Sequence, residues 1–168
     1  MKDALFESFF LGGFECSTHR TRTGRRLDLI AATRHDEFAA QDYARLRGVG
    51  ILAARDGIRW HLIEELPSRY DFSSALPTLR AARDAGVQVV WDICHYGWPD
   101  GLDIFSADFV RRYARFARAF ALTLRDETDA PPFLTSAPSV PMSAALCNYS
   151  SSSPLLVRAL AGTSSLIS

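Results

Sequence analysis

Asp92, His95, Tyr96 and Trp98 crowd into the end of one short stretch, residues 87–100, VQVVWDICHYGWPD. These are side chains that titrate, hydrogen-bond or stack, and they follow directly on an apolar run. A buried parallel strand delivers such groups to the mouth of an α/β barrel in this way. His95 stands just past the strand end, flanked by Tyr96 and Trp98. It either contacts a ligand in a polar, aromatic pocket or satisfies backbone groups of its loop, and the convergence of rings and polar groups favours the ligand.

Other chemistry-bearing residues also stand near strand ends. Arg55 and Asp56 follow a second apolar run, with Arg59 and Trp60 soon after. An arginine at a strand end either orients a carboxylate and holds it ionised or forms a structural ion pair with Asp92 or Asp56. Glu15, after the first apolar run, accepts hydrogen bonds from ligand hydroxyls or caps its loop. Glu64 and Glu65 fall in a charged loop and are expected to be solvated. Asp100 and Asp103 read first as loop residues. Sugars suit a pocket of this composition, because their C–H faces stack on indole rings while their hydroxyls need polar partners. Glycoside hydrolysis needs two carboxylates flanking the scissile bond, and no such pair stands out; Asp92 is the best local candidate. An unrelated enzyme with Asp92 and His95 as an acid–base pair lacks a nucleophile or oxyanion site beside it. His19, His35, His61 and His95 have no metal-ligand spacing. Cys16, Cys94 and Cys147 are three and widely spaced, so neither a disulfide framework nor a zinc site is implied.

The elements that position these groups alternate along the chain. Residues 9–14 read as a first short strand, and residues 18–33 as a long basic loop. Asp36 is placed to cap a helix to about Arg47, with Phe38, Tyr43 and Leu46 on one face. Gly48 and Gly50 end it, and residues 51–54 form the next strand. Ser73 or Ser74 starts a second helix, with Pro77 in its first turn, Leu76 and Leu79 inward and Gly86 as its stop. Residues 87–90 form a third strand. Ser106 caps a third helix, 107 to about 125, whose Phe109, Tyr113, Phe116, Phe120 and Leu124 recur at three- and four-residue steps. Residues 133–135 form one more strand. Strands alternating with helices every ~40 residues are βα units of a parallel sheet. No Gly-x-Gly-x-x-Gly follows a strand, which argues against a dinucleotide fold. The expectation is α/β: a partial (β/α)8 TIM barrel, the first three βα units plus a fourth strand, spanning residues 1–135.

Composition bounds the rest. A chain of 168 residues is short of the roughly 250 of a complete barrel. Net charge is zero and the pI about 6.9, so no global field favours nucleic acid or an anionic membrane. No run is long enough for a transmembrane helix, and the N-terminus, MKDALFESFFLGG, is a poor signal peptide; a cytoplasmic location is the default. From Ser136 the character changes. Residues 136–168 are Ser-rich and Arg158 is their one charged residue. This second segment is expected to be disordered, and a shift of reading frame would produce such a break.

Taken together, GGFECSTHR, RDGIRWHLIEE and VVWDICHYGWPD resemble the clan of barrel glycoside hydrolases that includes family 1 β-glucosidases, and most closely its bacterial β-glucosidase, 6-phospho-β-glucosidase and β-galactosidase-like proteins. The resemblance covers residues 9–135. It implies a (β/α)8 barrel that hydrolyses β-glucosides or β-galactosides with retention and without a cofactor. By position it makes Glu15, Arg55, His95 and Tyr96 sugar-site residues, Arg55 lying beneath the nucleophile; Trp98 joins them from the pocket reading. The family's Asn-Glu pair should follow the fourth strand, but residues 136–140 read Ser-Ala-Pro-Ser-Val, and the nucleophilic Glu belongs to a seventh strand. No catalytic residue is assigned. The expectation is a truncated β-glycosidase-like domain, inactive alone, with a non-catalytic carbohydrate-binding or interaction protein as the alternative. A carbohydrate is the expected ligand and no metal is expected. Half a core leaves the monomer marginal, and its open barrel edges offer a route to self-association.

Overall fold

The computed structural model describes residues 5–129 and 132–135. Its elements run β1 (Leu11–Gly13), α1 (Leu29–Thr33), α2 (His35–Gly48), β2 (Ala53–Gly57), α3 (Trp60–Ile63), a 3-10 turn (Phe72–Ser74), α4 (Leu76–Ala85), β3 (Gln88–Asp92), α5 (Ala107–Glu127) and β4 (Phe133–Thr135). The strands form one sheet in the order β1-β2-β3-β4, and every neighbouring pair is parallel. Consecutive parallel strands joined by helical crossovers build half of a (β/α)8 barrel. The expected α/β partial barrel, three βα units plus a fourth strand, is the fold observed.

A strand's side chains alternate between faces. On one face, Asp56 of β2 reaches His35 and Tyr43 of α2, and Trp91 of β3 meets Phe120 of α5 edge-on. On the other, Arg55 of β2 meets Asp92 of β3, on the side that a complete barrel encloses. The core lies between sheet and helices. α5 buries Phe109, Tyr113, Phe116, Phe120 and Leu124, the face expected from its periodicity. Trp60 sits at the centre, stacked on Phe116 at 5.0 Å and edge-on to Phe109 and Tyr113. Full burial of one such ring contributes about 3 kcal/mol. Ser106 Oγ accepts from the Phe109 amide at 3.1 Å and so caps α5 as expected. Gly86, at φ 62°, ends α4 in the left-handed conformation that favours glycine. No helix among the described residues is long and apolar enough to cross a membrane.

Several boundaries differ from expectation, each for a physical reason. β1 is shorter than residues 9–14 because Ser8 Oγ accepts from the Leu52 and Ala53 amides at 3.0 and 3.1 Å. The chain before β1 therefore crosses the N-terminal ends of the strands, with Phe6 against Phe133 and Phe9 and Phe10 exposed at 96% and 70%. The long loop of 18–33 contains α1, capped by Asp28, whose Oδ1 accepts from the Ala31 amide at 3.0 Å. α2 starts at His35 straight after Arg34, which is left-handed at φ 57°, so Asp36 lies in the first turn rather than at the cap. Its buried face is His35, Ala39 and Tyr43, while Phe38 is exposed beneath the Arg34 guanidinium. Asp71, not Ser73 or Ser74, caps the turn before α4, and Leu76 is only half-buried there. β2 and β3 extend to Gly57 and Asp92, so Arg55, Asp56 and Asp92 are strand residues. The Ser-rich segment 136–168 lies outside the described residues.

Glu64 corrects the sequence reading most sharply. It is not solvated but 0% exposed. The helical turn of α3 carries it inward, where it accepts from Trp60 Nε1 at 2.6 Å, the Ser68 amide at 2.7 Å and Arg112 Nε at 3.2 Å. On the other side of the core, His35 lies between two carboxylates, Nδ1 facing Asp42 Oδ2 and Nε2 facing Asp56 Oδ2, both at 2.9 Å. Phe14 stacks on the ring at 3.9 Å. Both nitrogens donate only when the imidazole is charged. Burial pulls the pKa of His35 down, but the hydrogen bonds and charges of Asp56 and Asp42 outweigh it and leave it above 6.5.

Two predictions follow from these buried charges. Glu64→Ala strands the Arg112 guanidinium and the Trp60 N–H and is expected to cost about 3–5 kcal/mol, whereas Glu65→Ala stays within about 0.5 kcal/mol. Urea unfolding followed by tryptophan fluorescence reads both, and similar midpoints would contradict the buried role of Glu64. For His35 the folded pKa is raised, so its stabilising contribution is complete below 6.5 and is lost as pH rises through the folded value. Denaturation midpoints are expected to fall across that window in the wild type and much less in His35→Gln; identical pH slopes would remove the assignment.

Candidate functional site

The C-terminal ends of three consecutive strands meet at one rim. Glu15 follows β1, Arg55 lies in β2, and His95 follows β3. Arg55 forms an ion pair with the fully buried Asp92, and another of its contacts, at 3.4 Å, is His95 Nδ1. Cys16 Sγ lies 3.2 Å from the same ring nitrogen. Glu15 Oε1 is 3.7 Å from it and accepts from the Ser17 amide at 2.9 Å. Arg55 is thus paired with Asp92, and Glu15 caps its own loop. Yet both still face the rim, with side chains 36% and 49% exposed.

Local packing explains the arrangement. A Cβ on Gly57 would stand 2.6 Å from Cys16 Cβ and Sγ, so glycine at the end of β2 lets Cys16 drop onto the sheet beneath His95. The loops after β1 and β3 are laced together by the Thr18 amide donating to the His95 carbonyl at 3.1 Å. Gly97 packs so closely on the Thr18 side chain that no Cβ fits there.

These contacts set the protonation states. The backbone hydrogen bond from Ser17 is the largest cause holding the Glu15 carboxyl below its ordinary value; a side-chain hydrogen bond from Ser17 and the Arg55 guanidinium add to it. Burial, and then the Asp92 carboxylate, push the Cys16 thiol up to about 12. Cys16 is a thiol, not a thiolate, at any ordinary pH. Cys16, Asp92 and His95 place ligand atoms within 4.8 Å of one another, the one such cluster among the described residues. The Arg55 guanidinium already supplies positive charge there, paired with Asp92 and abutting His95, and the thiol resists ionisation. The donor set fits a divalent cation poorly.

Tyr96 and Trp98 are placed differently from the other three expected contacts. Tyr96 is exposed, left-handed at φ 62°, and its ring centroid lies 5.2 Å from that of His95. Such a conformation is uncommon for a bulky residue and is a mark of a constrained loop. Trp98 packs edge-on against Phe109 at 6.0 Å. Both rings line an adjoining cleft of about 390 Å³ with Arg20, Gly24, Arg26, Asp100 and Gly101, a volume typical of ligand pockets. Asp100, read as a loop residue, ties the cleft together. It accepts from Arg20 Nε at 2.7 Å and also pairs with Arg20 and Arg26 through their terminal nitrogens. Those contacts, led by the Arg20 hydrogen bond, hold its carboxyl at about 2.

The remaining candidates take structural places. Asp56 is directed away from the rim to His35 and Tyr43, because it alternates with Arg55 along β2. Arg59 bridges Asp28 and Asp36 at 3.2 and 2.9 Å, and Trp60 is core. Sequence reading missed Cys16, Arg20 and Arg26 as site residues. The one signal for Cys16 was its place next to Glu15 at a strand end.

No protein-family model matches the chain, and no curated protein matches it. Among solved structures the chain is similar to the exo-β-1,4-mannosidase Op5Man5 from Opitutaceae bacterium strain TAV5, at 18% identity and a TM-score of 0.55. The match covers 76% of this chain and 28% of the mannosidase chain. At that identity the likeness is one of fold: the described residues form part of a (β/α)8 barrel of the kind on which a glycosidase is built.

Proposed function

We propose that this chain is the sugar-recognising half of a β-glycosidase-like barrel, and that the residues present here bind a carbohydrate without cleaving it. The observation that carries the reading is the convergence of Glu15, Arg55 and His95 on one rim of the parallel sheet, beside a cleft walled by Tyr96 and Trp98. An anionic acceptor and two nitrogen donors side by side match a ring hydroxyl that both gives and takes a hydrogen bond. The adjoining rings offer faces to the C–H side of a sugar. The family resemblance points to a β-glucoside or β-galactoside, and the similar solved structure adds a β-1,4-mannoside to the candidates.

Cleavage is a different matter. It needs two carboxylates on opposite sides of the glycosidic bond. Asp92 is sequestered by Arg55, and no Asn-Glu pair stands at residues 136–140. Titration calorimetry with glucose, galactose and mannose is expected to give saturable, roughly millimolar binding to at least one of them, with no release of nitrophenol from the matching β-glycosides. His95→Ala removes about one hydrogen bond, worth about 1 kcal/mol, and should weaken that binding about fivefold; Trp98→Ala should weaken it too. Turnover by the purified chain, or no binding to any of the sugars, would defeat the proposal.

A second reading concerns association with another copy. The outer edges of β1 and β4 have no strand partner among the described residues, and Phe9 and Phe10 before β1 and Leu11 at its start are exposed. Two copies would supply eight parallel strands, β4 of each against β1 of the other. Light scattering is then expected to report twice the 18.6 kDa chain mass, reverting to one in a Phe9→Glu, Phe10→Glu double variant. A wild type that stays monomeric at high concentration would exclude this pairing.

A further inference from the structure

The surroundings of a single imidazole nitrogen determine what the rim can offer a ligand. His95 Nδ1 faces a guanidinium nitrogen of Arg55 at 3.4 Å and the sulfur of Cys16 at 3.2 Å. A guanidinium only donates, and a thiol donates weakly or accepts weakly. The nearby carboxylates are otherwise engaged. Glu15 Oε1, at 3.7 Å, is beyond hydrogen-bond reach and takes the Ser17 amide, while the Asp92 oxygens take Arg55 and the Cys94 amide. A proton on Nδ1 would point toward an obligate donor and leave only sulfur to receive it. A lone pair on Nδ1 receives both the guanidinium and the thiol. Burial keeps the proton on Cys16, so the thiol is available as that donor.

We propose that Cys16, together with Arg55, fixes His95 in the tautomer protonated on Nε2, so that the ring donates its Nε2–H to an oxygen atom of the ligand. Cys16 is thus a positioning residue, acting through His95 without touching the ligand. The inference rests on the reading of His95 as a ligand contact and sharpens it: the ligand must present an acceptor oxygen to this ring, as a sugar hydroxyl does. Nε2 makes no hydrogen bond to the described residues and is not among their buried unpaired atoms, and the His95 side chain is 14% exposed. Gly57 belongs to the same device, since any larger residue there displaces the thiol.

The test is long-range proton–nitrogen NMR of the full chain carrying 15N-labelled histidine, near neutral pH. His95 is assigned by the signals that vanish in His95→Gln. The expected wild-type pattern is a protonated Nε2 and an unprotonated Nδ1. Cys16→Ser keeps a donor and should keep that pattern; Cys16→Ala and Cys16→Val remove it and should show a growing share of the Nδ1-protonated form, with valine retaining the packing if alanine does not fold. A wild-type ring protonated on Nδ1 would overturn the inference, as would folded alanine or valine variants with the wild-type pattern. Sugar titration of the same samples separates the two claims. The expected tautomer with no sugar response ends the functional reading and leaves this one standing, and a sugar response on an Nδ1-protonated ring does the reverse.

Discussion

The ion pair between Arg55 and Asp92 joins the ends of two neighbouring strands, and its acid is wholly shut off from water. An unpaired carboxylate in that position would cost several kcal/mol, so the guanidinium is bound to stay. Once it stays, the rest of the rim is constrained. It sets positive charge beside His95, which disfavours a metal among Cys16, Asp92 and His95. It also leaves part of its own edge facing outward next to Glu15. The chemistry of the rim is that of a fixed, neutral-to-positive donor surface with one anionic acceptor on its border.

A second buried carboxylate occupies the opposite face of the same sheet. Asp56 precedes Gly57, the register partner of Asp92, and alternation turns it toward α2, where His35 and Tyr43 hold it. One face therefore satisfies its buried acid with an arginine and the other with a histidine. The difference has a consequence for titration. Arginine holds its proton at every pH a protein tolerates, whereas histidine gives its up within the physiological range. The rim keeps its charge where the helix-facing clamp loses its own.

Much of the fold was legible in the sequence, because burial leaves periodic traces. The aromatic steps from Phe109 to Leu124, the Ser106 cap and the Gly86 stop each act through contacts within a few residues. Asp92 and His95 at a strand end were legible for the same reason. What sequence could not reveal depended on groups brought from afar. Glu64 looks no different from Glu65 until Arg112, 48 residues on, is placed against it. Cys16 looks like an isolated cysteine until the loop after β3 folds over it. The faces of Arg55 and Asp56 turned on a strand boundary shifted by a few residues, and a one-residue change of parity reverses which side chain meets the helices.

Asp100 joins the loop after β1 to the loop after β3, through Arg20 and Arg26 on one side and its own backbone position on the other. Being largely exposed, the junction adds little to global stability. Its effect is on disorder. Two loops that would each wander independently are cross-braced into one wall, so the cleft between them is shaped before anything enters it and less freedom is surrendered on binding. Because the brace is ionic and open to solvent, salt loosens it. The barrel strands would stand unchanged while the mouth beside them lost its outline.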